Sequence, residues 1–269
     1  MWNLRRASSM VTVLALTNLS CTAFAQSDPA DSQTEGTESQ NLTGVWYPRS
    51  STAGFPMSQW SPQELPFTEE GRAAFDANLP GKGPRERLPA LGNDPLGTAN
   101  PPGLFRTLVY PRPWQFIQAP GQIVQLFEWG KHWRTIWTDG REVAEEIVSG
   151  PFWYGYSVGR WEGDTLVVTT NNLDGRQWMD EWGTPMSEYD ATIEERWRRV
   201  DDETLELTIT VIDPEIYSRP WTSAVKTYKL QSKDSEYGEP FEQIFAPIDE
   251  AVFNERVRDP LAEGPIPVE

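Results

Sequence analysis

The residues able to do chemistry are unevenly supplied. The chain has 40 Asp and Glu against 23 Lys and Arg, with one His and one Cys. Its reactive inventory is therefore carboxylates, tyrosines and guanidinium groups. A zinc site of the usual N/S kind has too few ligands, and neither a Walker-type phosphate loop nor a dinucleotide fingerprint occurs. No metal and no cofactor is expected. Gly155-Tyr156-Ser157-Val158-Gly159 matches Gly-x-Ser-x-Gly, but that motif serves hydrolases at a strand-to-helix turn. Here it leads into a hairpin, and the only His is His132, read as a hairpin-end residue or a proton shuttle. The acid–base candidates are Glu128, Arg134, Asp139, Tyr156 and Glu195. Trp129, Arg141, Arg160, Trp161, Trp178, Asp180 and Arg196 are candidates for holding a ligand, through aromatic walls and charged or hydrogen-bonding contacts. Each competes with a plainer role, as a solvated charge or an ion pair between strands.

The elements that must position these residues are mostly short strands. Period-two patterns with turn residues between them predict strands at 42–47, 122–129, 132–138, 154–161, 165–170, 193–200, 204–212 and 223–230. Gly130-Lys131, Glu162-Gly163-Asp164 and Asp201-Asp202-Glu203 mark three hairpins. About eight such strands suggest a sandwich or a closed barrel. The barrel is preferred because closure removes exposed edges. The fold class expected is all-β, an antiparallel barrel.

Alternation also sorts the faces. Ile193, Glu195, Trp197 and Arg199 share one face of their strand, and Leu205, Leu207, Ile209 and Val211 share one face of the next. His132, Arg134, Ile136 and Thr138 oppose Trp133, Thr135 and Trp137. Charged groups mixed with Trp (13 in all) suggest a polar pocket with indole walls inside the barrel. Residues 50–120 form a Pro- and Gly-rich excursion carrying one helix, with Thr68 as N-cap before Glu69 and Glu70. A further helix is expected at 248–257.

The N-terminus reads as a signal peptide, residues 1–25: Arg5-Arg6, an apolar stretch from Met10 to Leu19, and Ala23-Phe24-Ala25 before the cut. A twin-arginine signal, or lipidation at Cys21, is the alternative reading. Residues 26–40 form a polar, acidic tether, and 41–269 one domain. Cleavage removes two Arg and the only Cys, taking the net charge from −17 to −19 and leaving no disulfide. Such acidity disfavours nucleic acid as a partner, and no apolar run long enough for a membrane span follows residue 25. The expected location is the bacterial periplasm or outside the cell.

Several segments carry a resemblance. Asp139-Gly140-Arg141, Gly155 to Val168 (with Gly-Arg-Trp-Glu-Gly-Asp-Thr-Leu-Val-Val at its end), Trp178-Met179-Asp180, Glu195-Arg196, Asp213-Pro214 and Pro220-Trp221 resemble a large, mostly uncharacterised family of exported bacterial proteins. The resemblance spans about residues 42–221. It implies a lipocalin-like (calycin) β-barrel. The chain departs from the family at Val143, Tyr156 and Met186, where members often carry His, and near Ala99-Asn100, where they often carry Cys. Together these readings predict a barrel that binds a small aromatic or other hydrophobic molecule. The alternative is a cofactor-independent lyase, isomerase or cyclase acting on such a molecule.

Overall fold

A computed structural model describes residues 38–49, 64–78, 94–98, 100–143, 150–180, 182–188 and 190–243. The expected signal peptide, residues 26–37 of the tether and the expected helix at 248–257 lie outside the described residues. The strands are β1 (Gly44–Pro48), β2 (Trp114–Ala119), β3 (Gln122–Phe127), β4 (Trp133–Trp137), β5 (Tyr156–Glu162), β6 (Thr165–Asn171), β7 (Thr192–Arg199), β8 (Thr204–Ile212), β9 (Trp221–Thr222) and β10 (Lys226–Leu230). The helices are α1 (Glu69–Asn78) and α2 (Gly103–Val109).

The strands pair in sequence order from β1 to β8, and β10 closes the ring by pairing with β1 on one side and the first half of β8 on the other. Two-residue β9 adds to the far half of β8. The result is a closed barrel of nine strands. Eight were expected; the ninth is β2, whose six residues lie between Pro113 and Pro120 and read as part of the excursion. One pair is parallel: β4 and β5, with Ile136 opposite Ser157. Residues 138–155 separate the two strands, where the other neighbouring pairs are antiparallel.

Local chemistry explains the turns. Gly163 (φ 64°) makes the β5–β6 turn, and Gly130 (φ 77°) with Lys131 (φ 49°) makes the β3–β4 turn. These left-handed angles suit glycine. Thr68 caps α1 by accepting the Gly71 N–H at 2.9 Å. α2 shows no helical periodicity because all seven of its residues are buried.

The barrel has unequal ends. At one end the turns are tight: Pro120-Gly121, Gly163-Asp164 and residues 200–203. At the other, beside the short β3–β4 turn, emerge residues 49–113, 172–191 and 213–225, while residues 138–155 lead from β4 to the parallel β5. α2 lies across this loop end. The hydroxyl of Tyr228, an inward residue of β10, donates to the Leu108 carbonyl at 2.8 Å, and the Leu104 N–H donates to Gln177 Oε1 at 3.0 Å. Among the described residues no helix is long and apolar enough to cross a membrane.

Inward faces supply the core. Trp114 meets Phe116, Trp197 and Tyr228 edge-on, at centroid distances of 4.9, 5.3 and 5.1 Å. Fully buried Trp46, Leu166, Leu205 and Leu207 surround them. Ring packs on ring here, so this cluster is core rather than the wall of a pocket. Burying each such side chain contributes about 1.5–3 kcal/mol.

Candidate functional site

Strand alternation places Arg134 and Glu195 inside the barrel. The guanidinium donates from Nη1 and Nη2 to the two Glu195 oxygens, both at 2.6 Å, and from Nε to Gln125 Oε1 at 2.8 Å. Trp197 Nε1 donates to Glu195 Oε2 at 3.0 Å, and Ser157 and Thr170 share a 2.8 Å bond alongside. Ser157 therefore sits on a strand among hydroxyl and carboxylate neighbours, without the strand-to-helix turn of a hydrolase nucleophile. The side chains of both charges are almost wholly buried, and each saturates the other. Trp114 Nε1, Gln125 Nε2 and Tyr154 Oη are buried polar atoms with no partner among the described residues.

Asp139, Arg141 and Tyr156 come together elsewhere, on the outer face. Arg141 stacks on Trp137 at 3.8 Å, donates to Asp139 at 2.6 Å and reaches the Tyr156 hydroxyl at 3.2 Å. Hydrogen bonds from Arg141 hold the Asp139 carboxyl below the usual carboxylate range. Arg160 and Arg196 are also outward, each 2.9 Å from Glu162. This is a surface ion-pair ladder. Trp161 is half-buried against the core.

The β3–β4 turn holds Glu128 and Trp129. Glu128 accepts the Phe241 N–H at 3.0 Å, so it anchors the segment after β10. Buried Trp129 packs on Tyr110 at 4.7 Å. His132 lies 5.4 Å from the Tyr154 ring, and burial pushes its imidazole below the ordinary value.

Trp178 and Asp180 stand at the loop end, on the β6–β7 connection. Asp180 accepts the Trp182 N–H at 2.8 Å, the Thr184 N–H at 3.2 Å and the Thr184 hydroxyl at 2.7 Å. Burial pushes its carboxyl up. Its carbonyl accepts from Arg106, which also pairs with Asp94 at 2.8 Å and lies 5.9 Å from the Trp178 ring. Asp213 fixes the neighbouring stretch by accepting the Ser187 N–H and hydroxyl, both at 2.8 Å. These bonds shape a cleft of about 380 Å³ walled by Trp178, Met186 and Ile216, with Arg176, Glu188 and Glu215 among its polar lining. α1 supplies Ala74 and Asn78 to the same wall.

The predicted residues thus do not converge: Glu128 and Trp129 stay at the β3–β4 turn, Trp161 lies against the core, and the other nine fall in four groups. Arg134 meets Glu195; Asp139 and Arg141 meet Tyr156; Arg160 and Arg196 share Glu162; and Trp178 stands beside Asp180. Arg176, Met186, Ser187, Glu188 and Glu215 were not among the candidates. They come from two connections whose meeting no local pattern announces; Trp178-Met179-Asp180 was the one signal nearby. Among the described residues no three His, Cys, Asp or Glu side chains gather to hold a metal ion.

Fold and site together define a closed β-barrel with aromatic clusters and a tryptophan-walled cleft at its loop end. No protein-family profile, no curated protein and no solved structure matches the chain.

Proposed function

We propose that this is an exported, lipocalin-like barrel protein that binds a small aromatic or other hydrophobic molecule, and that the molecule sits in the cleft beside Trp178. The carrying observation is the cleft itself. Its volume of about 380 Å³ falls within the range of small-molecule sites, roughly 300–1,000 Å³. Trp178, Met186 and Ile216 give it apolar walls. An indole face favours planar partners by about 0.5–1.5 kcal/mol beyond area burial. Export rests on the Arg5-Arg6, apolar, Ala-x-Ala pattern of residues 1–25.

Binding is favoured over catalysis by the dispersal of the acid–base candidates. Glu195 is held by Arg134 and Trp197, and the Asp139–Arg141–Tyr156 set faces outward on the barrel wall. No candidate acid stands beside a free cation in one closed pocket, as acid–base chemistry on a bound molecule requires.

The test is equilibrium dialysis of the purified protein against 3-methylindole, naphthalene and benzyl alcohol, followed by chemical analysis of what is retained. Retention that Trp178→Ala abolishes, measured at a temperature where the variant keeps the circular dichroism of the sheet, is the expected result. No retention, or retention indifferent to Trp178→Ala, overturns the reading. A compound recovered in altered form moves it from binding to catalysis.

A further inference from the structure

We infer that the occupant of this cleft carries a positive charge: it is an aromatic or alkyl amine, recognised as its ammonium form. The inference rests on the binding reading above and adds the sign of the ligand's charge.

Three observations lead there. The first is the hydrogen-bond inventory of the lining. Ser187 spends its hydroxyl proton on Asp213, leaving the oxygen as an acceptor. Asn78 Nδ2 donates to the Gly183 carbonyl. Arg176 commits Nε and Nη2 to Asp174, leaving Nη1 without a hydrogen bond or ion pair among the described residues. Ser187 and Asn78 thus turn donors toward the protein, Arg176 Nη1 remains a donor, and the Ser187 oxygen with the Glu188 and Glu215 carboxylates are acceptors. A guest that donates hydrogen bonds fits this balance, and an ammonium has three to give.

The second observation is charge. The lining holds Glu188 and Glu215 against Arg176, which is paired with Asp174 and also lies in the field of Glu188. No ion pair joins Glu188 or Glu215 to a cation among the described residues. The whole chain, at −17, adds a field of the same sign, which draws cations and repels anions. The third is Trp178, which supplies an indole wall to this cleft. Indole is the aromatic side chain that best attracts a cation.

Three probes share one ring and differ in charge: tryptamine (cation), 3-methylindole (neutral) and indole-3-acetate (anion). Each is titrated calorimetrically into the purified protein at pH 7, in low salt and in 0.5 M NaCl. Tryptamine is expected to bind at least about tenfold more tightly than 3-methylindole, with indole-3-acetate weakest. High salt should narrow the gap severalfold. Glu188→Gln with Glu215→Gln, both at exposed positions, should shrink it without moving the unfolding midpoint, while Trp178→Ala weakens every probe. Equal affinities, or an anion bound best, overturn the charge assignment and leave the binding reading standing. Failure of all three probes to bind overturns both.

Discussion

Arg134 on β4 and Glu195 on β7 face each other inside the barrel, with β5 and β6 between their strands in the sheet, through a pair of 2.6 Å hydrogen bonds. Among the described residues neither makes a second ion pair. Glu195→Gln therefore strands a buried guanidinium, and a loss of about 3–5 kcal/mol in denaturant unfolding is expected. Replacing both, as Arg134→Met with Glu195→Leu, should recover most of it. A double replacement as unstable as the single one would show that the pair matters through something other than charge balance.

The outer-face arginines should behave in the opposite way. Arg141, Arg160 and Arg196 make their ion pairs in solvent-exposed positions, where screening and side-chain entropy leave little net gain. Alanine at each is expected to leave both the unfolding midpoint and 3-methylindole retention unchanged. A clear loss of retention in any of the three would place the binding surface on the barrel wall.

Lys226 offers a pH signature. It is buried on β10, and burial lowers its ammonium from 10.5 to about 8. The folded state then sheds this proton earlier than the unfolded state does. Below pH 8 the buried charge destabilises the fold in full, and the penalty fades as pH rises from 8 to 10.5. Wild-type stability should gain from this term across that interval, by at most about 3 kcal/mol at about 1.4 kcal/mol per pH unit. Lys226→Met should remove that gain. Parallel pH profiles for wild type and variant would contradict it.

Gly71 tests how α1 supports the cleft. A Cβ at this position would run into the Ile216 carbonyl, which a backbone group cannot yield cheaply. Gly71→Ala should displace α1 and, with it, Ala74 and Asn78 of the cleft wall. Retention of 3-methylindole is expected to fall while the circular dichroism of the sheet is kept. Undiminished retention would separate α1 from binding.

Much of this barrel is legible in the chain because each face of a half-buried strand repeats every second residue. Glu195 and Trp197 belong to one face of their strand, Arg134 and Ile136 to one face of theirs, and both faces point inward. Their meeting was not legible. It depends on closure of the ring between β10 and β8, a long-range event with no local signature. The parallel β4–β5 pair was hidden for a related reason, since Ile136 and Ser157 are paired across an intervening stretch, residues 138–155, rather than through a hairpin. β2 was masked by its flanking prolines, and α2 by being buried all round, Arg106 and Thr107 included. In the cleft, Trp178 could be singled out by type. Ser187 and Glu215 become neighbours only after Asp213 draws the β6–β7 connection onto the end of β8.

The connections 49–113, 172–191 and 213–225 all leave the same end of the barrel, while the opposite end carries the tight turns Pro120-Gly121, Gly163-Asp164 and 200–203. Strand pairing and ligand contact are thereby assigned to separate stretches of chain. Insertions, deletions or grafted segments at 49–113, 172–191 or 213–225 can change what is recognised with every strand register preserved. The architecture is in this sense a chassis, open to diversification of its guests by descent or by laboratory selection.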